Sequence, residues 1–193
     1  MIRNDVERYG AVALFLHWLV VALIVVQFVL ANLAELAEER GGAAGLMQQL
    51  ALLARHKSFG ITILVLVVLR FLWRWISPPP ALPPTMSSME KAAAKAVHWG
   101  LYATLLFMPI TGWLTSSAAN FPVSYFGLFT LPDMVSPDDA LKDIFEESHH
   151  AAATVLIVLV CVHVLAAAKH HLWDRDNVLL RMLPFVRLRE ERP

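Results

Sequence analysis

Residues His149 to His171 read HHAAATVLIVLVCVHVLAAAKHH, an apolar run of membrane-helix length with histidine at both ends and one more, His163, inside it. An ionisable ring is costly to place in hydrocarbon, so a histidine there is expected to have a partner and a task. His149 and His163 are fourteen residues apart. At about 1.5 Å rise per residue they stand roughly 21 Å apart along a helix and share nearly the same face, because fourteen residues is close to four turns. That spacing suits two cofactors set at two depths across a bilayer, each taking one ligand from this helix. Haem is the cofactor whose axial ligand is commonly histidine. The rest of the chain must then supply two more histidines at matching depths.

The apolar excess fits a membrane protein. Of 193 residues, 58% are hydrophobic and 17% charged, whereas a soluble domain carries roughly a quarter charged residues and less than half apolar ones. The apolar residues fall in four blocks, and the expected membrane helices run over residues 11–33, 56–76, 96–118 and 149–172 of a single domain spanning 1–193. Between the first two blocks a polar loop is expected from Glu35 to about Leu46, followed by an amphipathic piece, MQQLALLARHK. SPPPALPPT is a proline-dense stop after the second block, and Pro109 with Gly112 predicts a kink in the third. Zero net charge gives no reason to expect nucleic acid as a partner. The single cysteine, Cys161, excludes an internal disulfide and any CxxCH attachment of c-type haem.

Four helices place both termini on one side. Twelve of the sixteen basic residues lie in the N-terminus, the second loop and the C-terminal region, leaving Arg40, Arg55, Lys57 and Lys142 for the first and third loops. Both termini are therefore expected in the cytoplasm, with the two longer loops outside. The fold expected is all-α: an integral membrane four-helix bundle, up-down-up-down, with two b-type haems in its core.

Depth then pairs the histidines. His17 lies about six residues into the first helix from the cytoplasmic end, and His163 lies at similar depth on the fourth, which runs the opposite way. His56 opens the second helix on the outer side, as His149 opens the fourth. The expected iron ligands are His17 with His163 for an inner haem and His56 with His149 for an outer one, each six-coordinate and suited to electron transfer. His150 competes with His149, but the fourteen-residue spacing favours His149. Gly60, one turn after His56, leaves room for a flat macrocycle. His98 and His171 at the inner surface, with Arg70 or Arg74, are candidates for haem surroundings or a quinone pocket.

Several stretches carry a resemblance: HWL at His17, RHKSFGITILVLVVLRFLWR around His56, HWGLYATLLFMPITGWL in the third helix, FGLFTLP in the third loop, and HHLWDRDNVLLRMLP. From roughly Tyr9 to Pro184 the chain resembles the bacterial cytochrome b-561 family, di-haem proteins of four membrane helices. The resemblance implies a multi-pass protein of the bacterial inner membrane with two haem b, His17, His56, His149 and His163 as ligands, superoxide:ubiquinone oxidoreductase activity and ubiquinone as acceptor. Arg55 and Lys57 flank His56 and form a candidate positive mouth for superoxide, with Lys142 as a possible third member.

One feature pulls against that donor. The outer segments carry nine carboxylates against four cations, and an anion is steered by positive potential. The acidic rim suits a basic protein partner instead, or simply keeps the third loop solvated. A second reading is therefore a haem-bearing membrane anchor, the electron-transfer subunit of a larger quinone-linked dehydrogenase or reductase. A transporter is disfavoured, because the apolar spans hold no Asp or Glu.

Overall fold

The computed structural model describes residues 1–189. Four long helices carry the chain: α1 (Ala11–Arg40), α2 (Gly42–Ile76), α3 (Ser88–Ala118) and α4 (Asp139–Lys169). A two-residue hairpin pair, β1 (Ser124–Tyr125) against β2 (Phe129–Thr130), sits between α3 and α4. A π turn at His170–Asp174 and a 3-10 turn at Leu180–Met182 follow α4.

The polar loop expected from Glu35 to Leu46 is not a loop. Helix α1 continues to Arg40, and α2 begins at Gly42. Two left-handed glycines, Gly41 at φ +64° and Gly42 at φ +69°, make the reversal, a conformation that favours glycine. Leu30, Ala34 and Ala37 then pack against Leu52. A Cβ at Gly45 would lie 2.6 Å from the Ala37 carbonyl oxygen, so glycine is what lets the two helices approach there. Helicity persists through this polar stretch because one narrow apolar stripe is buried, whatever the other faces carry.

Helix α3 starts earlier than its apolar block, on a capping box. The Glu90 amide donates to Ser87 Oγ (3.2 Å), and the Ser87 amide donates to Glu90 Oε2 (2.9 Å). Pro109 lies inside α3, which is helical on both sides of it. Helix α4 begins at Asp139, with the Asp138 carboxylate accepting from the Leu141 amide at 3.0 Å.

Three helical stretches are long and apolar enough to cross a membrane: Ala11–Arg40, Gly42–Ile76 and Asp139–Asp174. Only 11% of the most apolar window of α1 is buried, and Val25, Val29 and Leu33 stand exposed. That suits a hydrocarbon surround, where apolar burial is not the driving force for helix association.

The chain resolves into two compact units. The first comprises residues 1–18, 69–104 and the chain from Val155 onward; the second comprises 19–68 and 105–154. In the first unit the N-terminal segment is sewn to later parts of the chain. Asn4 donates from its backbone to Ser77 Oγ and from its side chain to the Ser77 carbonyl, both at 2.8 Å. Trp18 Nε1 donates to the Met182 carbonyl at 2.7 Å, and Arg8 donates to the Val186 carbonyl. In the second unit the β-hairpin docks on α2. Buried Ser58 accepts from the Phe126 amide at 3.0 Å and lies 3.1 Å from the Ser124 carbonyl, while Thr62 Oγ1 and Tyr125 OH stand 3.2 Å apart.

Candidate functional site

Each unit brings two of the expected histidines face to edge. In the first, the rings of His17 (α1) and His163 (α4) have centroids 6.4 Å apart and planes inclined by 68°. In the second, His56 (α2) and His149 (α4) lie 6.2 Å apart at 70°. Two imidazoles bound in trans to one metal ion, each nitrogen at about 2 Å and each ring centre about 1 Å beyond, set their centres roughly 6 Å apart. Both pairs have that spacing.

Hydrogen bonding at His149 supports the same use. Its Nδ1 is 3.0 Å from the Met108 carbonyl oxygen and 3.3 Å from Thr111 Oγ1. A carbonyl only accepts, so Nδ1 carries the proton and Nε2 keeps the lone pair a metal needs. Gly112 gives that ring its place, since a Cβ there would meet His149 Cε1 at 3.2 Å. His17 Nδ1 and His56 Nδ1 are buried without a protein partner. The two sets thus fit a bis-histidine haem.

The neighbouring candidates divide. His150 is exposed, whereas His149 is half-buried against His56. His98 of α3 is brought beside His163 at 5.3 Å, closer than a trans counter-ligand would stand, so it is a neighbour of the pair. Arg70 sits over the Tyr102 ring at 5.7 Å and Arg74 over the Trp99 ring at 6.0 Å. Arg70 is also near enough to act electrostatically on His17, His98 and His163. Gly60 faces α1, where a Cβ would meet Gln27 Nε2 at 3.2 Å. The space beside Gly60 is bounded by that amide.

At the end of α4 the two adjacent histidines separate. His170 is buried, with Nδ1 2.7 Å from Asp176 Oδ2 and 3.1 Å from Asp174 Oδ2. Lys169 bridges Asp174 and Glu90, each at 2.8 Å, which ties the π turn to the start of α3. The ammonium of Lys169 and the amide and hydroxyl of Ser87 hold the Glu90 carboxyl down to about 2. His171 is half-buried with Nδ1 unpaired.

Beside His56, Arg55 is exposed and Lys57 is half-buried, its ammonium 5.8 Å from the centre of the Phe121 ring. Lys142 does not join them as a free cation: Asp143 and Glu146 hold it at 3.3 and 3.2 Å. Sequence reasoning missed Gln27, Ser58 and Thr111 and gave Gly112 only a part in a kink; their roles depend on what another helix or the hairpin presents to them. An adjacent threonine and glycine just after Pro109 in an apolar helix were the available signal.

The family model for prokaryotic cytochrome b561 matches residues 8–185. The chain is 36% identical over 180 residues to cytochrome b561 homolog 2 of Escherichia coli K12, covering 93% of both chains. It is 30% identical over 178 residues to a protein of Yersinia pestis named "Probable superoxide oxidase CybB", covering 92% of this chain and 97% of that one. Cytochrome b561 homolog 1 of E. coli K12 is 25% identical over 178 residues, 92% of this chain and 98% of its own.

Proposed function

From the premise that the chain belongs to the prokaryotic cytochrome b561 family, helical membrane proteins of electron transfer, we propose that it is a di-haem superoxide:ubiquinone oxidoreductase. The observation that carries this is the pair of trans-compatible imidazole spacings, 6.4 and 6.2 Å, one in each unit. His17 and His163 hold the inner haem iron, and His56 and His149 the outer. Haem b supplies reversible one-electron chemistry when bound. The chain forms one membrane domain with an up-down-up-down bundle and both termini in the cytoplasm, as its basic residues favour.

The balanced reaction takes two superoxide anions, one ubiquinone and two protons to two dioxygen molecules and one ubiquinol. Lys57 and Arg55 beside His56 supply the local positive potential that draws the anion against the acidic surroundings. Phe121 holds the Lys57 ammonium in place through its ring face. On the inner side His98 and His171, with Arg70 or Arg74, are the haem surroundings or the quinone pocket, and His98 stands next to the His163 ring. The superoxide assignment draws support from the 30% identical relative's name.

A second reading is favoured by one observation. The carboxylates of Glu35, Glu38, Glu39, Asp133, Asp138, Asp139 and Asp143 sit on exposed residues at the outer end, a surface for a basic protein partner. The protein would then be a haem-bearing subunit of a larger quinone-linked enzyme. Purified protein supplied with a superoxide source and ubiquinone separates the two. Superoxide-dependent quinol formation that slows as ionic strength rises is expected; haem reduction without any quinol from superoxide would leave the anchor reading.

A further inference from the structure

Charge is left uncompensated at the His17–His163 end. Arg70 lies within the span of α2, where a charged side chain is costly unless it is paired. Its neighbour Arg74 follows one turn later, and Arg181 comes from the 3-10 turn at Leu180–Met182. Among the described residues no carboxylate makes an ion pair with any of the three. Their aromatic contacts, Tyr102 and Trp99, are neutral.

Arg181 is held in place by its surroundings. Its Nη1 donates to the Ala81 carbonyl at 2.8 Å, while its Nε is buried with no partner. The next residue, Met182, takes the Trp18 indole bond, and the Trp18 ring stands 5.3 Å from the His17 ring. The turn that carries Arg181 is therefore fixed to the residue next to His17. Tyr9 lies in the field of Arg70, Arg74 and Arg181 together, and burial pushes its phenol up despite them. A neutral phenol cannot balance three guanidiniums.

Trp73 Nε1 is a further buried donor without a partner in this unit. Guanidinium and indole N–H groups donate and do not accept. What completes them is an acceptor, and the three cations favour an anionic one.

We infer that Arg181 acts with Arg70 and Arg74 to bind the propionate carboxylates of the inner haem. The inference rests on the reading of His17 and His163 as that haem's ligands. A guanidinium fork matches a carboxylate bidentately. A phospholipid phosphate is the rival acceptor, but it belongs to the headgroup plane, while Arg70 acts on the three histidine rings from inside the helical span. Arg181 is a positioning residue: it anchors the cofactor and sets the charge beside it, without touching quinone or superoxide.

The test uses purified holoprotein, Arg181→Gln and Arg181→Lys. Haem loss to excess apomyoglobin and the midpoint potential of each haem are followed by visible spectra. In Arg181→Gln the inner haem leaves about tenfold faster and its potential falls, because removing a nearby cation favours the ferric state. The outer haem is unchanged and reports that the variant is folded. Arg181→Lys, which keeps the charge but loses the fork, falls between. Unchanged loss rate and potential in Arg181→Gln would overturn the inference. So would delipidated wild type showing the same acceleration, which would assign the site to a phosphate. Haem loss that ignores His163→Ala as well would instead break the histidine pairing beneath it.

Discussion

At the scale of single residues, a histidine pair does the work that no other part of the chain can. In the proposed site each ring reaches the iron through one nitrogen; at His149 the other nitrogen is held by the Met108 carbonyl, while His17 Nδ1 and His56 Nδ1 have no such partner. His163→Ala should remove the inner haem and retain the outer, and His149→Ala should do the reverse; haem content and redox spectra of the two variants check this. Loss of the same haem from both would contradict the pairing. That these four histidines would meet in two couples was legible in the sequence, because an imidazole in an apolar span is rare and expensive, and the structure places their rings 6.4 and 6.2 Å apart. The parts played by Thr111, Gly112 and Arg181 were not legible there. Gly112 matters because the His149 ring needs the space of a Cβ, and Arg181 because its turn is tied to Trp18; neither contact leaves a local pattern.

At the scale of elements, the helices were readable where they are apolar and misread where they are polar. The stretch from Glu35 to Leu46 looked like a loop because hydropathy fades there, yet Leu30, Ala34 and Ala37 keep a buried stripe against Leu52. Likewise α3 and α4 begin several residues before their apolar blocks, on Ser87–Glu90 and on Asp138. The hairpin at Ser124–Thr130 was seen only as FGLFTLP, a motif without a partner. Its anchor, Ser58, is an unremarkable serine two residues after His56 in the sequence. Ser58→Ala leaves the Phe126 amide without its acceptor, at a cost of about 1–2 kcal/mol. Limited proteolysis should then cut faster within residues 121–131, while the inner haem spectrum stays as in wild type. Cutting at the wild-type rate would show that the hairpin is held by other contacts.

At the scale of the molecule, the exterior and the interior obey different solvents. Valines and leucines at Val25, Val29, Val65, Leu69, Val158 and Leu165 are exposed, which is costly in water and natural in hydrocarbon. Within each unit the polar side chains Ser58, Thr111 and His170 are buried, and each unit holds one histidine couple. In the first unit Arg70 and Arg74 lie over the Tyr102 and Trp99 rings, and in the second exposed carboxylates such as Glu38 and Asp143 accompany the His56–His149 couple. The family membership follows from nearly the whole length of the chain; the donor depends on a few surface charges, and composition alone said little about it.

The central claim is that iron is held twice by two histidines. Low-temperature electron paramagnetic resonance of the oxidised protein, with haem quantified as its pyridine complex on the same sample, tests it most directly. Two haem b per chain, both low-spin with the signature of two imidazole ligands, are predicted. One haem per chain, or a high-spin signal from iron with a single histidine, would contradict it.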